Sequence, residues 1–134
     1  MQPFQANRRY LETRVSETLG LLYADHFPYR QVETARDVRQ SPVHDRLKAA
    51  GACFGEVSGW ERANWFLPRA EQDRGLEPRY EYSWKRQNWF DYSAKEHLAV
   101  RERVGMFDMS SFGKIRVVGR DAEAVLQRIA ANDV

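Results

Sequence analysis

The sequence predicts an α+β fold. Three observations carry the expectation. Apolar residues recur at helical spacing in four separate places. One short segment, KIRVV at 114–118, alternates between two faces as a half-buried strand does. The composition is that of a globular domain, with 43% hydrophobic and 30% charged residues in 134.

The first predicted helix carries Leu11, Val15, Leu19 and Leu22 on one face and Arg8, Arg9, Glu12, Arg14 and Glu17 on the other. It reads as an amphipathic packing helix, and Pro28 stops it because the residue before a proline is steered away from helix. The second, SPVHDRLKAAG, has Ser41 as N-cap, Pro42 at the first position and Gly51 as its stop. The middle of the chain reads as loop. Gly51, Gly55 and Gly59, four apart, do not make a phosphate-cradling pattern and read as turn and close-approach glycines. Residues 67–84, with two prolines, a glycine and many charges, read as a long surface insertion.

The pattern W-x-R-x-N-W-F occurs twice, at Trp60 and again at Trp84. Two copies do not make a structural repeat, and similar local demands are the simpler explanation. Four tryptophans and two phenylalanines in these segments are expected to be buried or to form an interface. The third helix, SAKEHLAVRERVG, opens on a capping box of Ser93 and Glu96 and stops at Gly105. After the strand at 114–118, Asp121 opens a last helix with Ala122, Val125, Leu126, Ile129 and Ala130 on one face.

The totals exclude several classes. Net charge is +2, too even to favour nucleic acid or an anionic membrane. No apolar run approaches the ~20 residues of a membrane span. The N-terminus shows no secretory signal, and the single Cys53 fits a reducing compartment. Cys53 lies in an apolar, glycine-rich stretch and reads as structural rather than nucleophilic. His26, His44 and His97 lack metal-ligand spacing, so no metal site is expected. Asp108, between large apolar neighbours and beside Ser110 and Ser111, either caps a turn or lines a pocket, with capping the stronger reading. No complete catalytic constellation emerges, and no catalytic residue is assigned.

The segment EHLAVRERVGMFDMSSFGKIRVVGRDAEAVLQRIAANDV resembles the start of the folate-binding domain of the glycine-cleavage aminomethyltransferases. SPVHDRLKAAGACFGEVSGWERANWF is similar to that domain's opening, in the form found in the dimethylglycine and sarcosine dehydrogenase group. YLETRVSETLGLLYADHFPYRQVETARDVRQSP is similar to the central segment of those flavoproteins. The resemblance divides the chain into a central linker segment, 1–40, and the N-terminal part of an aminomethyltransferase-type folate-binding domain, 41–134. It implies an excerpt of a larger protein that oxidatively demethylates an N-methylated glycine and passes the carbon to tetrahydrofolate. FAD would be held by a domain of the same protein, which is the implied partner. The implied location is cytoplasmic, or the mitochondrial matrix in a eukaryote. Phe112 stands where the family has a methionine against the folate, and Asp108 and Ser110 match the F-D-x-S turn. These three are the implied cofactor-binding residues. The rival readings are a stand-alone folate-binding or interaction module and a piece of a glycine-cleavage aminomethyltransferase. As an isolated unit the chain is expected to be of low stability or to self-associate through the 114–118 strand and the last helix.

Overall fold

The computed structural model describes residues 3–28 and 30–134, with the Phe4 side chain left aside. A short 3-10 turn (Pro3–Ala6) leads into one continuous helix. Its α-helical parts, α1 (Arg8–Tyr10) and α2 (Ser16–Tyr23), flank a π-helical stretch, Leu11–Val15. Asn7 caps the start, its side chain accepting from the Tyr10 N–H at 3.3 Å. Then come α3 (His44–Ala49), β1 (Ala52–Val57), β2 (Trp60–Phe66), α4 (Arg69–Gln72), α5 (Phe90–Glu102) and α6 (Ala122–Ile129). The α+β expectation holds.

The sheet lies where a loop is expected. β1 and β2 form an antiparallel hairpin closed by Ser58 and Gly59, whose φ values of 51° and 83° are those of a primed two-residue turn. The Ser58-Gly59 dipeptide is a turn signal in the sequence, but glycines and charges on both sides obscure the alternation. The register pairs Cys53 with Trp65 and Phe54 with Ala63, so a bulge leaves Asn64 as the extra residue. Gly51 is required at the entry: its φ is 91°, and a Cβ there would collide with the Leu67 carbonyl and with the Gln72 side-chain amide that donates to it. The Leu67 N–H in turn donates to the Gly51 carbonyl at 2.8 Å, extending the ladder past the strand ends.

Cys53, Trp65 and Leu67 make the buried cluster, with Tyr80, Trp89 and Tyr92 packed against it. Residues 67–84 are therefore more than a surface insertion, since Leu67 and Tyr80 contribute to this cluster. α5 begins at Phe90, so Ser93 lies inside the helix and no capping box forms. Tyr92 stacks on Trp65, with centroids 5.5 Å apart, and Glu96 turns instead to the hairpin, accepting the Phe66 N–H at 2.8 Å. Packing against β2 decides this helix start over the local capping signal.

Three further expectations are corrected. Ser41 is buried, but α3 starts at His44, whose N–H donates to the Ser41 carbonyl at 3.0 Å, and the Ser41 hydroxyl caps nothing. The leucine stripe of the first helix faces outward, with Leu22 73% exposed, while Arg14 takes the buried side. The segment 114–118 forms no strand. Ile115 is 92% exposed, and the segment pairs with neither β1 nor β2, the strands among the described residues. α6 follows as expected after Asp121, with Val125 and Ile129 exposed. No helix among the described residues is long and apolar enough to cross a membrane.

Candidate functional site

The most strongly built polar region is the seam where the segment after the first helix lies along the hairpin. Arg39 bridges β2 by an N–H bond to the Gly59 carbonyl at 3.0 Å and a carbonyl bond from the Glu61 N–H at 2.9 Å, and its guanidinium covers the Trp60 ring at 4.3 Å. Arg14, 6% exposed, reaches across from the helix. It donates to Glu56 Oε2 at 2.7 Å and to the carbonyls of Thr34 and Ala35. Glu56 also accepts the Gly59 N–H, so the carboxylate that pairs with Arg14 holds the hairpin turn as well.

A second clamp lies beside the first. Arg36 donates to both oxygens of Glu61, at 2.8 and 2.5 Å, in the forked geometry that suits a guanidinium and a carboxylate. Burial pushes the Glu61 carboxyl up, but the Arg36 hydrogen bonds, the Asp37 N–H at 2.8 Å and the Arg36 charge outweigh it, and the group ends below its ordinary 4.5. The Glu61 bonds raise Arg36. Ala35 and Asp37, either side of Arg36, both adopt left-handed backbone, with φ of 46° and 62°. Such strain persists where surrounding bonds over-determine the conformation, as the two clamps do. Glu17 completes the seam by accepting from the N–H groups of Glu33 and Thr34 and from the Thr34 hydroxyl. Burial raises its carboxyl, and these bonds with Arg14 bring it below the usual value.

Two cavities flank this seam. One, of about 480 Å³, runs along the exposed stripe of the first helix and includes Tyr10, Leu11, Val15, Leu19 and Leu22. The other, of about 540 Å³, is walled by aromatic side chains beside β2, including Phe27, Tyr82, Trp84 and Trp89.

The residues singled out from sequence lie elsewhere. Asp108 accepts the Ser110 N–H at 3.0 Å, which is the turn-capping role. Its carboxyl sits below the usual range, held there first by the Ser110 side chain and then by the Ser41 hydroxyl, which is near enough to act on the charge yet makes no well-directed hydrogen bond. Phe112 is 47% exposed, with the Arg62 guanidinium 4.8 Å from its ring centre. Neither these nor Asp108 and Ser110 line either cavity. Cys53 is buried, and burial pushes its thiol up to about 11, against smaller pulls from Arg36 and Trp65, so it is no nucleophile at neutral pH. Among the described residues no group of three His, Cys, Asp or Glu side chains is placed to hold a metal ion. His44 is buried and stacked on Phe54 at 4.3 Å. Sequence reading missed Glu56 and Glu61 altogether. Their signal was a carboxylate within each apolar run of a hairpin, visible only once the hairpin is recognised.

Comparison with known proteins divides the chain near the seam. Residues 43–134 match the GCVT N-terminal domain, and residues 1–41 match the FAD dependent oxidoreductase central domain. A 4-methylaminobutanoate oxidase (formaldehyde-forming) of Paenarthrobacter nicotinovorans is 52% identical over 97% of this chain and 15% of its own length. The mitochondrial pyruvate dehydrogenase phosphatase regulatory subunit of Mus musculus is 35% identical over 97% of this chain and 15% of its own. The mitochondrial sarcosine dehydrogenase of Homo sapiens is 32% identical over 94% of this chain and 16% of its own. The chain thus spans about a sixth of the length of these curated relatives.

Proposed function

The chain belongs to the GCVT N-terminal domain family, and from that premise we propose that it forms the join between the central segment and the aminomethyltransferase-type domain of a flavin- and folate-dependent N-demethylase. One observation carries the reading. The two matches follow each other on one short chain, and the Arg14–Glu56 ion pair at 2.7 Å crosses from the first to the second.

The substrate class is an N-methylated amino acid. Relatives named as sarcosine and dimethylglycine dehydrogenases support an N-methylated glycine, at 32% and 31% identity. The relative at 52% is named for 4-methylaminobutanoate, a longer acid, and as formaldehyde-forming. In such a protein the oxidation of the N-methyl group is flavin chemistry and the capture of its carbon is folate chemistry. FAD would be held by another domain of the same protein, the proposed partner of this chain. Phe112, Asp108 and Ser110 remain the proposed contribution to the folate site, but they do not make a pterin pocket by themselves. They lie on one turn, half-buried at Asp108 and Ser110 and exposed at Phe112, with Arg62 already over the ring and Asp108 already bonded to Ser110. No step is therefore assigned to them. What this chain's residues do is mechanical: Arg14 and Arg36, anchored on Glu56 and Glu61, hold the segment before the domain in one position against the hairpin.

The test is turnover by the protein made from its complete reading frame. Dye reduction is measured with 4-methylaminobutanoate, sarcosine and dimethylglycine, and the carbon product is assayed as formaldehyde or methylenetetrahydrofolate. Turnover of at least one substrate is expected, and a colourless protein inert toward all three overturns the reading. The 134-residue chain alone is expected to oxidise none of them and to purify without flavin absorbance. The likeness to a regulatory subunit favours a second reading, a non-catalytic interaction module, which a flavin-loaded but inert protein would support.

A further inference from the structure

We propose that the aromatic cavity beside β2 binds a planar aromatic acid, its ring stacked among Phe27, Tyr82 and Trp84 and its anionic group on Lys85. The cavity's volume of about 540 Å³ lies within the range of small-molecule sites. Its walls offer ring faces. The Tyr82 hydroxyl already accepts the Gln31 N–H at 2.7 Å, and the Tyr80 hydroxyl accepts from Asn64 at 2.6 Å. Phe27 and Tyr82 lie nearly parallel, 17° apart with centroids at 5.7 Å, and Trp84 leans over Phe27 at 4.6 Å. Trp84 is nevertheless 88% exposed, a large apolar surface left in water at the cavity mouth. A stacked ring would cover it, and offset stacking between aromatic partners is the arrangement such faces favour.

Charge selects the rest of the ligand. Among the described residues Lys85 is the one charged side chain in the lining. Its ammonium makes no ion pair among the described residues, whereas the nearby Arg79 and Arg86 are paired with Glu81 and Asp91. Among the described residues no carboxylate lines the cavity, so a bare N-methylammonium would meet a like charge with no counter-ion. A small anion alone would leave the aromatic walls uncovered. A planar ring with an anionic group satisfies both features. The site stands apart from Phe112, Asp108 and Ser110, and the inference does not depend on the N-demethylase reading.

Reduced folates and flavin mononucleotide both join a planar ring to an anionic group, so the test uses both. The 134-residue chain, labelled with nitrogen-15, is titrated with 5-formyltetrahydrofolate and with flavin mononucleotide while amide and indole shifts are followed. Saturable shifts at Tyr82 to Gln87 and at the tryptophan indoles are expected with at least one ligand, and the ligand that gives them identifies the source. Lys85→Gln is expected to weaken binding roughly tenfold or more, and Lys85→Arg to retain it, as for a charge-assisted hydrogen bond. Lys85 is exposed, so neither variant threatens the fold. Absence of saturable shifts with both ligands, shifts centred on residues 108–112 instead, or an unchanged affinity in Lys85→Gln would overturn the proposal.

Discussion

Residues 60–66 and residues 84–90 carry the same pattern, W-x-R-x-N-W-F, and the structure folds them in two different ways. The first is strand β2; the second is a turn that runs into α5. Position by position the partners diverge. Trp65 is 2% exposed and stacked on Tyr92, while its counterpart Trp89 packs half-buried against the outside of the same cluster. Trp60 lies under Arg39, but Trp84 stands in solvent at the mouth of the aromatic cavity. Asn64 sits on a bulge and donates to the Tyr80 hydroxyl, whereas Asn88 donates to the Arg79 carbonyl at 2.8 Å and accepts the Glu81 N–H at 3.3 Å, holding a local loop. Arg62 lies over the distant Phe112, and Arg86 over the nearby Phe90. The copy paired with β1 makes long-range contacts; the copy without a strand partner makes mostly local ones. An aromatic-rich heptapeptide does not choose between strand and helix start by itself, because its side chains suit either surface.

Substitution should separate the two copies. The largest effect is expected from Trp65→Ala, about 3–5 kcal/mol of lost stability from the cavity it leaves, while Trp89→Ala should cost clearly less. Urea unfolding of the chain measures both, and equal losses would erase the distinction between the copies.

Next comes the carboxylate that only the β2 copy has. Glu61→Gln leaves Arg36 with weaker neutral bonds at a buried position and should cost about 1–3 kcal/mol at neutral pH. The pH dependence follows from direction. Glu61 and Glu17 titrate lower in the folded chain than their ordinary 4.5, so the stability they contribute is present above that value. It is lost as pH falls through their lowered folded values. Glu96 runs the other way: burial raises it, against the Phe66 N–H, so its contribution is largest below 4.5 and falls as pH rises through the raised value. Unfolding midpoints measured between neutral pH and pH 3 should decline in the wild type, and decline less in Glu61→Gln. Parallel pH curves would show that the Arg36 clamp does not set the acid limb.

A smaller difference is expected between the asparagines. Asn64→Ala removes the bond that ties the bulge to Tyr80 and should cost about 1 kcal/mol. The smallest effect belongs to Trp84→Ala, within about 0.5 kcal/mol for an exposed side chain. The same variant should lose affinity for the aromatic acid, which makes stability and binding respond to opposite copies of the pattern. A Trp84→Ala chain that melts far below the wild type would mean that the cavity rim is part of the core.

The contrast extends to the ends of the chain. α6 was legible because its opening residue and its apolar face are local in sequence, and helix signals act within one or two turns. The 114–118 strand was legible as a pattern, but a strand forms only when it pairs with an edge elsewhere in the chain, and among the described residues the segment pairs with none. Of the candidate site, the Asp108 turn was legible, since Asp108 and Ser110 are two residues apart. The seam was not. Arg14 reaches Glu56 across 42 positions and Arg36 reaches Glu61 across 25, and each looks like an ordinary surface charge until the hairpin brings the carboxylate to it.

By itself, then, the sequence determined the α+β class, the positions of the helices at the two ends, the structural character of Cys53 and the family resemblance. Those properties rest on composition, short-range periodicity and ordered motifs, all of which are readable along the chain. The tertiary structure alone decided which W-x-R-x-N-W-F copy becomes a strand, that the first helix buries Arg14 instead of its leucine stripe, and that α5 starts at Phe90 rather than at Ser93. Each of these turns on a partner distant in sequence, and the energy of buried ion pairs, stacked rings and paired strand edges depends on that partner's arrival, which no local window contains.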